Sequence, residues 1–165
     1  MRSIMLRRMK IFGRTLLGEL AAKAAASPRK RAHLTIHESA SDLVQRFFVS
    51  ADPDTYFRPH RHHTKSELAV VVRGRFELVT FDDSGCITAR FEIGDDTPDL
   101  AYETPRATWH TLLSLTPGAT FLEIKEGPHD AATAAEFAAW APAEGDASVP
   151  QVLTWLRKAK VGDRF

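Results

Sequence analysis

"RPHRHHTKSELAVVVRGR", Arg58 to Arg75, decides the fold. Three histidines fall within four positions, a glutamate follows five residues after His62, and a run of valines comes directly behind it. Such a valine run reads as buried strand. In an extended chain successive side chains alternate faces, so His60 and His62 point one way, together with Arg58 and Tyr56, and His63 points the other. Two imidazoles at i, i+2 can serve one metal ion. Glu67 has the wrong parity to join them on a straight strand, but Thr64 to Ser66 can turn the chain and bring it back beside the pair. A carboxylate at the head of a buried strand is expensive unless a cation faces it, and a metal ion would be that cation. His110, in "PRATWHTLL", is the best further ligand. Three imidazoles and one carboxylate suit one divalent transition ion (Zn, Fe, Ni or Mn) and leave a position for water or substrate.

Outward from this stretch, the chain reads as short β-branched and aromatic runs separated by turn residues. "AHLTIH", "LVQRFFVSA" and "TYFRPHRH" precede it; "CITARFEIG", "LAYETP", "TWHTLLSL" and "ATFLEIKEG" follow it. "ELAVVVRGRFELVTFDD" reads as two strands joined at Arg73-Gly74, with the glycine supplying the turn. Eight to ten strands at this spacing predict an all-β sandwich or barrel. Helical character is confined to the ends: an N-terminal stripe of Phe12, Leu16 and Leu20, the alanine-rich 131–139, and 149–160. The expected organisation is a helical extension over 1–31, a β barrel over 32–130, and a C-terminal helical segment over 131–165 that packs on the barrel.

The 165 residues are enough for one domain with a core, and 44% hydrophobic with 26% charged residues is a globular composition. Twenty-two basic residues against 21 acidic ones argue for no polyanionic partner, so nucleic acid is not expected. The single cysteine, Cys86, excludes an internal disulfide framework and suits a reducing compartment, hence a cytoplasmic expectation. No apolar run is long enough to span a bilayer. The basic N-terminus, with five basic residues before Glu19, reads as an amphipathic helix that packs on the domain or a partner subunit. A targeting segment is the alternative.

At these residues the sequence resembles a cupin. His60-x-His62, four residues, Glu67, six residues and Gly74 match the spacing of the first cupin motif, with Asp54 in place of its leading glycine. The second motif is looser. Pro105 and His110 hold their places, while Ala107 stands for a glycine and Ser114 for an asparagine. "RAHLTIHES", "VQRFF", "RPHRH", "ELAVVVRGR", "FDDSG", "TWHTLLSLTPG", "EIKEGP" and "FAAWAPAEGD" are similar to the WbuC family of cupin-fold metalloproteins, across Ser27 to Asp146. That resemblance implies a jelly-roll barrel, the double-stranded β-helix, with a metal inside. It also implies a bacterial setting near O-antigen polysaccharide genes, and a homodimer as cupins commonly form. The function expected is metal-dependent chemistry on a small polar or saccharide-type substrate, of isomerase, epimerase or dioxygenase type. A non-catalytic sugar or nucleotide-sugar binding module is the alternative. Arg58 is expected to grip a carboxylate or phosphate, with Tyr56, Arg46 and Lys125 as weaker substrate-binding candidates. His33, His37 and His129 read as ordinary surface or core histidines.

Overall fold

The computed structural model describes residues 9–132 and 134–165. The first half of the basic N-terminal stretch, residues 1–8, lies outside the described residues. Two five-stranded antiparallel sheets face each other. The strands are β1 (Arg31–Thr35), β2 (Val44–Ala51), β3 (His60–Arg61), β4 (Glu67–Arg73), β5 (Arg75–Phe81), β6 (Ile87–Gly94), β7 (Ala101–Thr104), β8 (Trp109–Ser114), β9 (Ala119–Glu126) and β10 (Glu136–Phe137). One sheet runs β1-β2-β9-β4-β7 and the other β10-β3-β8-β5-β6. This is the expected jelly roll.

The tight link at Gly74 is not a hairpin. β4 pairs with β7 and β9, whereas β5 pairs with β6 and β8. Gly74 (φ 70°) instead carries the chain from one sheet to the other. A Cβ there would lie 2.2 Å from Thr116 Oγ1, so only glycine fits the corner. Thr116 belongs to the corner between β8 and β9, which also change sheets. The two crossings therefore pack against each other.

Two apolar clusters follow from the alternation. Between the sheets lie Val49, Ala69, Val71, Phe76, Leu78, Ile93, Leu112 and Phe121 with two alanines. On the outer face of the second sheet Val79, Phe81, Trp109 and Leu113 are covered by the C-terminal segment, through Leu153 and Leu156 of α2 (Val149–Leu156). Strands β5 and β8 are thus buried on both faces, which is why "WHTLLS" shows no polar alternation. At the other end of the chain α1 (Arg14–Ala26) buries Leu20 and Ala24, and Phe12, just ahead of it, sets its ring 5.3 Å from Phe48 of β2.

The alanine-rich 131–139 is not helical. Glu136 and Phe137 pair with Arg61 and His60 as the edge strand β10. Helix propensity loses because the carbonyls of this stretch are used elsewhere: Ala134 O accepts from His62 and Ala138 O from Arg58. The second helix is also shorter than the 149–160 expected, ending at Leu156.

Ala107 adopts φ 60° in the turn between β7 and β8, the left-handed region where the cupin motif carries glycine. Its N–H donates to His62 O at 2.7 Å, tying that turn to the histidine stretch. The strain of about 1–2 kcal/mol is partly offset by the extra freedom of an unfolded glycine. Ala107→Gly is therefore expected to stabilise the protein by about 0.5–1 kcal/mol in denaturant unfolding. An unchanged or lower midpoint would show that the turn is relaxed as it stands.

Candidate metal centre

Four strands that line the barrel turn from apolar to polar at the same end. β9 passes from Ala119 and Phe121 to Glu123 and Lys125, β4 from Val71 and Ala69 to Glu67, β8 from Leu112 to His110, and β2 from Val49 and Phe47 to Gln45. The registers bring these ends together: Glu67 stands opposite Lys125 and Thr104, and His110 opposite His60. The result is a cavity of about 490 Å³ in which charged and imidazole side chains gather beside an apolar flank. Three imidazoles reach it from the second sheet and its adjoining loop, and the carboxylates of Glu67 and Glu123 reach it from the first.

His60, His62, Glu67 and His110 each place one ligand atom within 4.8 Å of all the others. The imidazoles are oriented alike from behind. Nδ1 of His60 lies 2.9 Å from Arg58 O, Nδ1 of His110 2.9 Å from Thr108 O, and Nδ1 of His62 contacts Ala134 O. A carbonyl only accepts, so each Nδ1 carries the hydrogen and donates it. In the neutral rings this leaves Nε2 with its lone pair. Nε2 of His62 lies 3.0 Å from Glu67 Oε1 and Nε2 of His110 3.5 Å from Oε2. The His62 Nε2 contact has no hydrogen-bond geometry, and that atom is buried without a hydrogen-bond partner among the described residues. Lone pairs that converge on a carboxylate repel it unless a cation lies among them. These four side chains fit a divalent ion.

The charges agree. Burial, with His110 nearby, pushes His60 down to about 3, so its ring is a neutral donor near pH 7. Burial alone would raise Glu67, but its contacts with His110 and His62, which lower it where positive charge lies between ring and carboxylate, and the Lys125 ammonium hold the carboxyl well below the usual range. Lys125 donates to Glu67 Oε1 at 2.9 Å and lies 2.8 Å from Glu123 Oε1. These two carboxylates keep it charged against its burial.

The other expected residues divide. Arg58 and Lys125 line the cavity; Tyr56 and Arg46 do not. The Tyr56 ring packs in the outer cluster and its hydroxyl donates to Pro142 O at 3.1 Å, because the chain bends before β3 and breaks the parity counted from His60. Arg46 has the outward parity of β2, opposite to Gln45 and Phe47, and its Nη2 lies 3.8 Å from Asp42. Conversely His33, His37 and His129, read as ordinary histidines, line the same cavity. His63 faces away and contacts Glu136 at the surface.

Glu123 was not singled out from the sequence. Counting by twos from buried Phe121 through Glu123 to Lys125 would have found it. Burial and the neighbouring Glu67 charge push its carboxyl up to about 7, with Lys125 pulling the other way.

No curated protein matches the chain in sequence. A family model described as "Domain of unknown function (DUF6016)" matches residues 12–93, which contain His60, His62 and Glu67 and stop short of His110. Among solved structures the chain is similar to CapF with the inhibitor 3-isopropenyl-tropolone (TM-score 0.56, 19% identity), over 68% of this chain and 33% of that one. It is also similar to the capsular polysaccharide assembling protein CapF from Staphylococcus aureus (TM-score 0.52, 18% identity), over 64% of this chain and 34% of that one. A mutant of Bacillus subtilis oxalate decarboxylase OxdC aligns at TM-score 0.50 and 20% identity, over 66% of this chain and 28% of that one. The chain thus spans about a third or less of these neighbours. The likeness carries the fold: a cupin barrel, here with a three-histidine, one-glutamate donor set at its polar end.

Glu123 generates a pH prediction. Its folded value lies above the ordinary 4.5, so the folded state holds this proton more tightly than the unfolded one. That contribution is complete below about 4.5 and disappears as pH rises through about 7. In chelator-treated protein the melting temperature of Glu123→Gln, relative to the parent, should climb between pH 5 and pH 8. A difference that stays flat over this range would mean that Lys125 holds Glu123 ionised throughout.

Proposed function

We propose that the chain is a metal-dependent cupin of WbuC type. His60, His62, Glu67 and His110 hold one divalent transition ion, and a small polar or saccharide-type substrate meets it from the cavity. One observation carries this reading. Three imidazoles, each fixed by a backbone carbonyl behind it, aim their remaining nitrogens at one buried carboxylate. Bound there, the ion supplies a Lewis acid for a carbonyl or vicinal diol. Among the described residues no fifth donor joins this cluster, and His63, the neighbour in sequence, points to the surface.

A binding module needs only the ion and a cavity, whereas catalysis also needs a group that can hold or release a proton nearby. Glu123 supports the catalytic version: a second carboxylate on the cavity wall, steadied by Lys125. Phe47, Phe57 and Phe121 give the cavity an apolar flank against which a sugar ring can lie. The connection to bacterial surface polysaccharide rests on the WbuC resemblance. CapF, described as a capsular polysaccharide assembling protein, shares the fold.

Elemental analysis of tag-free protein purified without added metal tests the reading. The parent is expected to carry close to one ion per chain, and His62→Ala and Glu67→Gln are expected to lose it while still folding. A redox-active ion would favour oxygen chemistry, and zinc would favour isomerisation or epimerisation. A parent that holds no metal and takes up none from iron, manganese, nickel or zinc would sink it.

A further inference from the structure

The cations on the cavity wall are not equivalent. Arg29 and Arg31 both pair with Glu144, the first at 2.7 Å. Lys125 is shared between Glu67 and Glu123. Arg58 lines the same cavity and has no carboxylate partner among the described residues. One of its terminal nitrogens donates to Ala138 O at 2.9 Å, and its guanidinium lies 5.3 Å from the centre of the Phe137 ring. Its Nε is buried and makes no hydrogen bond.

A guanidinium has only donors, so its free N–H groups need acceptors. Arg58 is half-buried, and a partly desolvated cation gains from a counter-charge, which no carboxylate among the described residues provides. The position is also close to the donor cluster. The Arg58 carbonyl accepts from His60 Nδ1, and the Phe137 ring that meets Arg58 lies 6.0 Å from the His60 ring. At His33, in the same cavity, Arg29 and Lys125 add to the lowering that burial causes, so positive charge is felt there. A divalent ion on the four donors would add to it. A neutral hydroxyl leaves that imbalance in place, whereas an anion removes it and can take two N–H groups of the guanidinium at once.

We propose that Arg58 recognises an anionic group, a carboxylate or a phosphate, on the molecule that occupies the cavity, so that the substrate is an acidic small molecule such as a sugar acid or sugar phosphate rather than a neutral sugar. This rests on the reading of the cavity as the substrate site. It narrows that reading by charge, and it makes Arg58 a specificity-determining residue, with its fork held in place by Ala138 O and Phe137.

The test uses the full chain, metal-loaded and chelator-treated, with acetate and inorganic phosphate as probes at constant ionic strength. The Nε–H resonance of Arg58, assigned by its absence from Arg58→Lys, should shift saturably with one or both anions. The anion that binds more tightly names the head group. By thermal protection Arg58→Gln should bind that anion about ten-fold or more weakly, the loss of one charge-assisted bond or more, while keeping the parent's metal content. An unmoved Nε–H with both anions, or equal affinity in Arg58→Gln, overturns the proposal. Full metal loading in parent and variant together with either of those results discards the anion site alone. A shift in protein that never takes up metal discards the metal reading and leaves the anion site standing.

Discussion

One buried carboxylate organises the polar end of this barrel. Glu67 begins β4, in the first sheet, and faces three imidazoles that come from β3, β8 and the loop after β3, on the other side. Taking its charge out of water is unfavourable unless positive charge and hydrogen bonds surround it. Lys125 supplies part of that directly, from the register position opposite Glu67 on β9. The imidazoles supply the rest only if something reconciles their Nε2 lone pairs with the carboxylate. No local segment can build this arrangement, because its parts meet only when the two sheets close. The strand-to-strand crossings at Gly74 and at Thr116 to Gly118 are therefore as necessary to the site as the donors themselves.

Much of this was legible in the sequence, and the limits have physical causes. The i, i+2 histidines, the glutamate at the head of a valine strand and the later strand histidine all follow from period-two alternation and from the cost of burying charge. Local pattern does not say which strands pair. "VVVRGRF" has the residues of a hairpin, yet Gly74 turns the chain into the opposite sheet, since the partners of β4 lie more than twenty residues away in sequence. The alanines of 131–139 have helical propensity, but the segment is extended because β3 offers it an open edge and His62 and Arg58 take two of its carbonyls. Glu123 could have been found by the counting that found His62, had it been applied to "FLEIK" as well.

Tertiary context also decides which candidates reach the cavity. Tyr56 and Arg58 share a parity with His60, yet only Arg58 arrives there. Parity holds only while the chain stays extended, and the regular strand here is short, just His60 and Arg61. Upstream of it Thr55 is fully buried, its N–H donating to Asp52 O in a turn, which rotates Tyr56 into the outer cluster. Conversely, period-two alternation along β1 and the residues after it brings Arg31, His33, Thr35 and His37 to the cavity, where His129 joins them from a distant segment that no spacing rule relates to them.

The strap at 134–138 couples the site to the C-terminal segment. Ala134 O orients His62, Ala138 O orients Arg58, and between them Phe137 lies against His60 and Arg58. Ala138 is itself part of the outer cluster that Leu153 and Leu156 of α2 complete. The strap is held at its edge by Arg61, which reaches Glu136 at 2.8 Å and Asp83 at 3.0 Å and lies over Trp109. Exposed ion pairs of this kind contribute little, so the apolar cluster beneath does most of the holding. The geometry of two residues in the cavity thus depends on packing on the far side of the second sheet. Loosening α2 would disorganise His62 and Arg58 before it opened the core between the sheets, since that core shares none of its residues with the outer cluster.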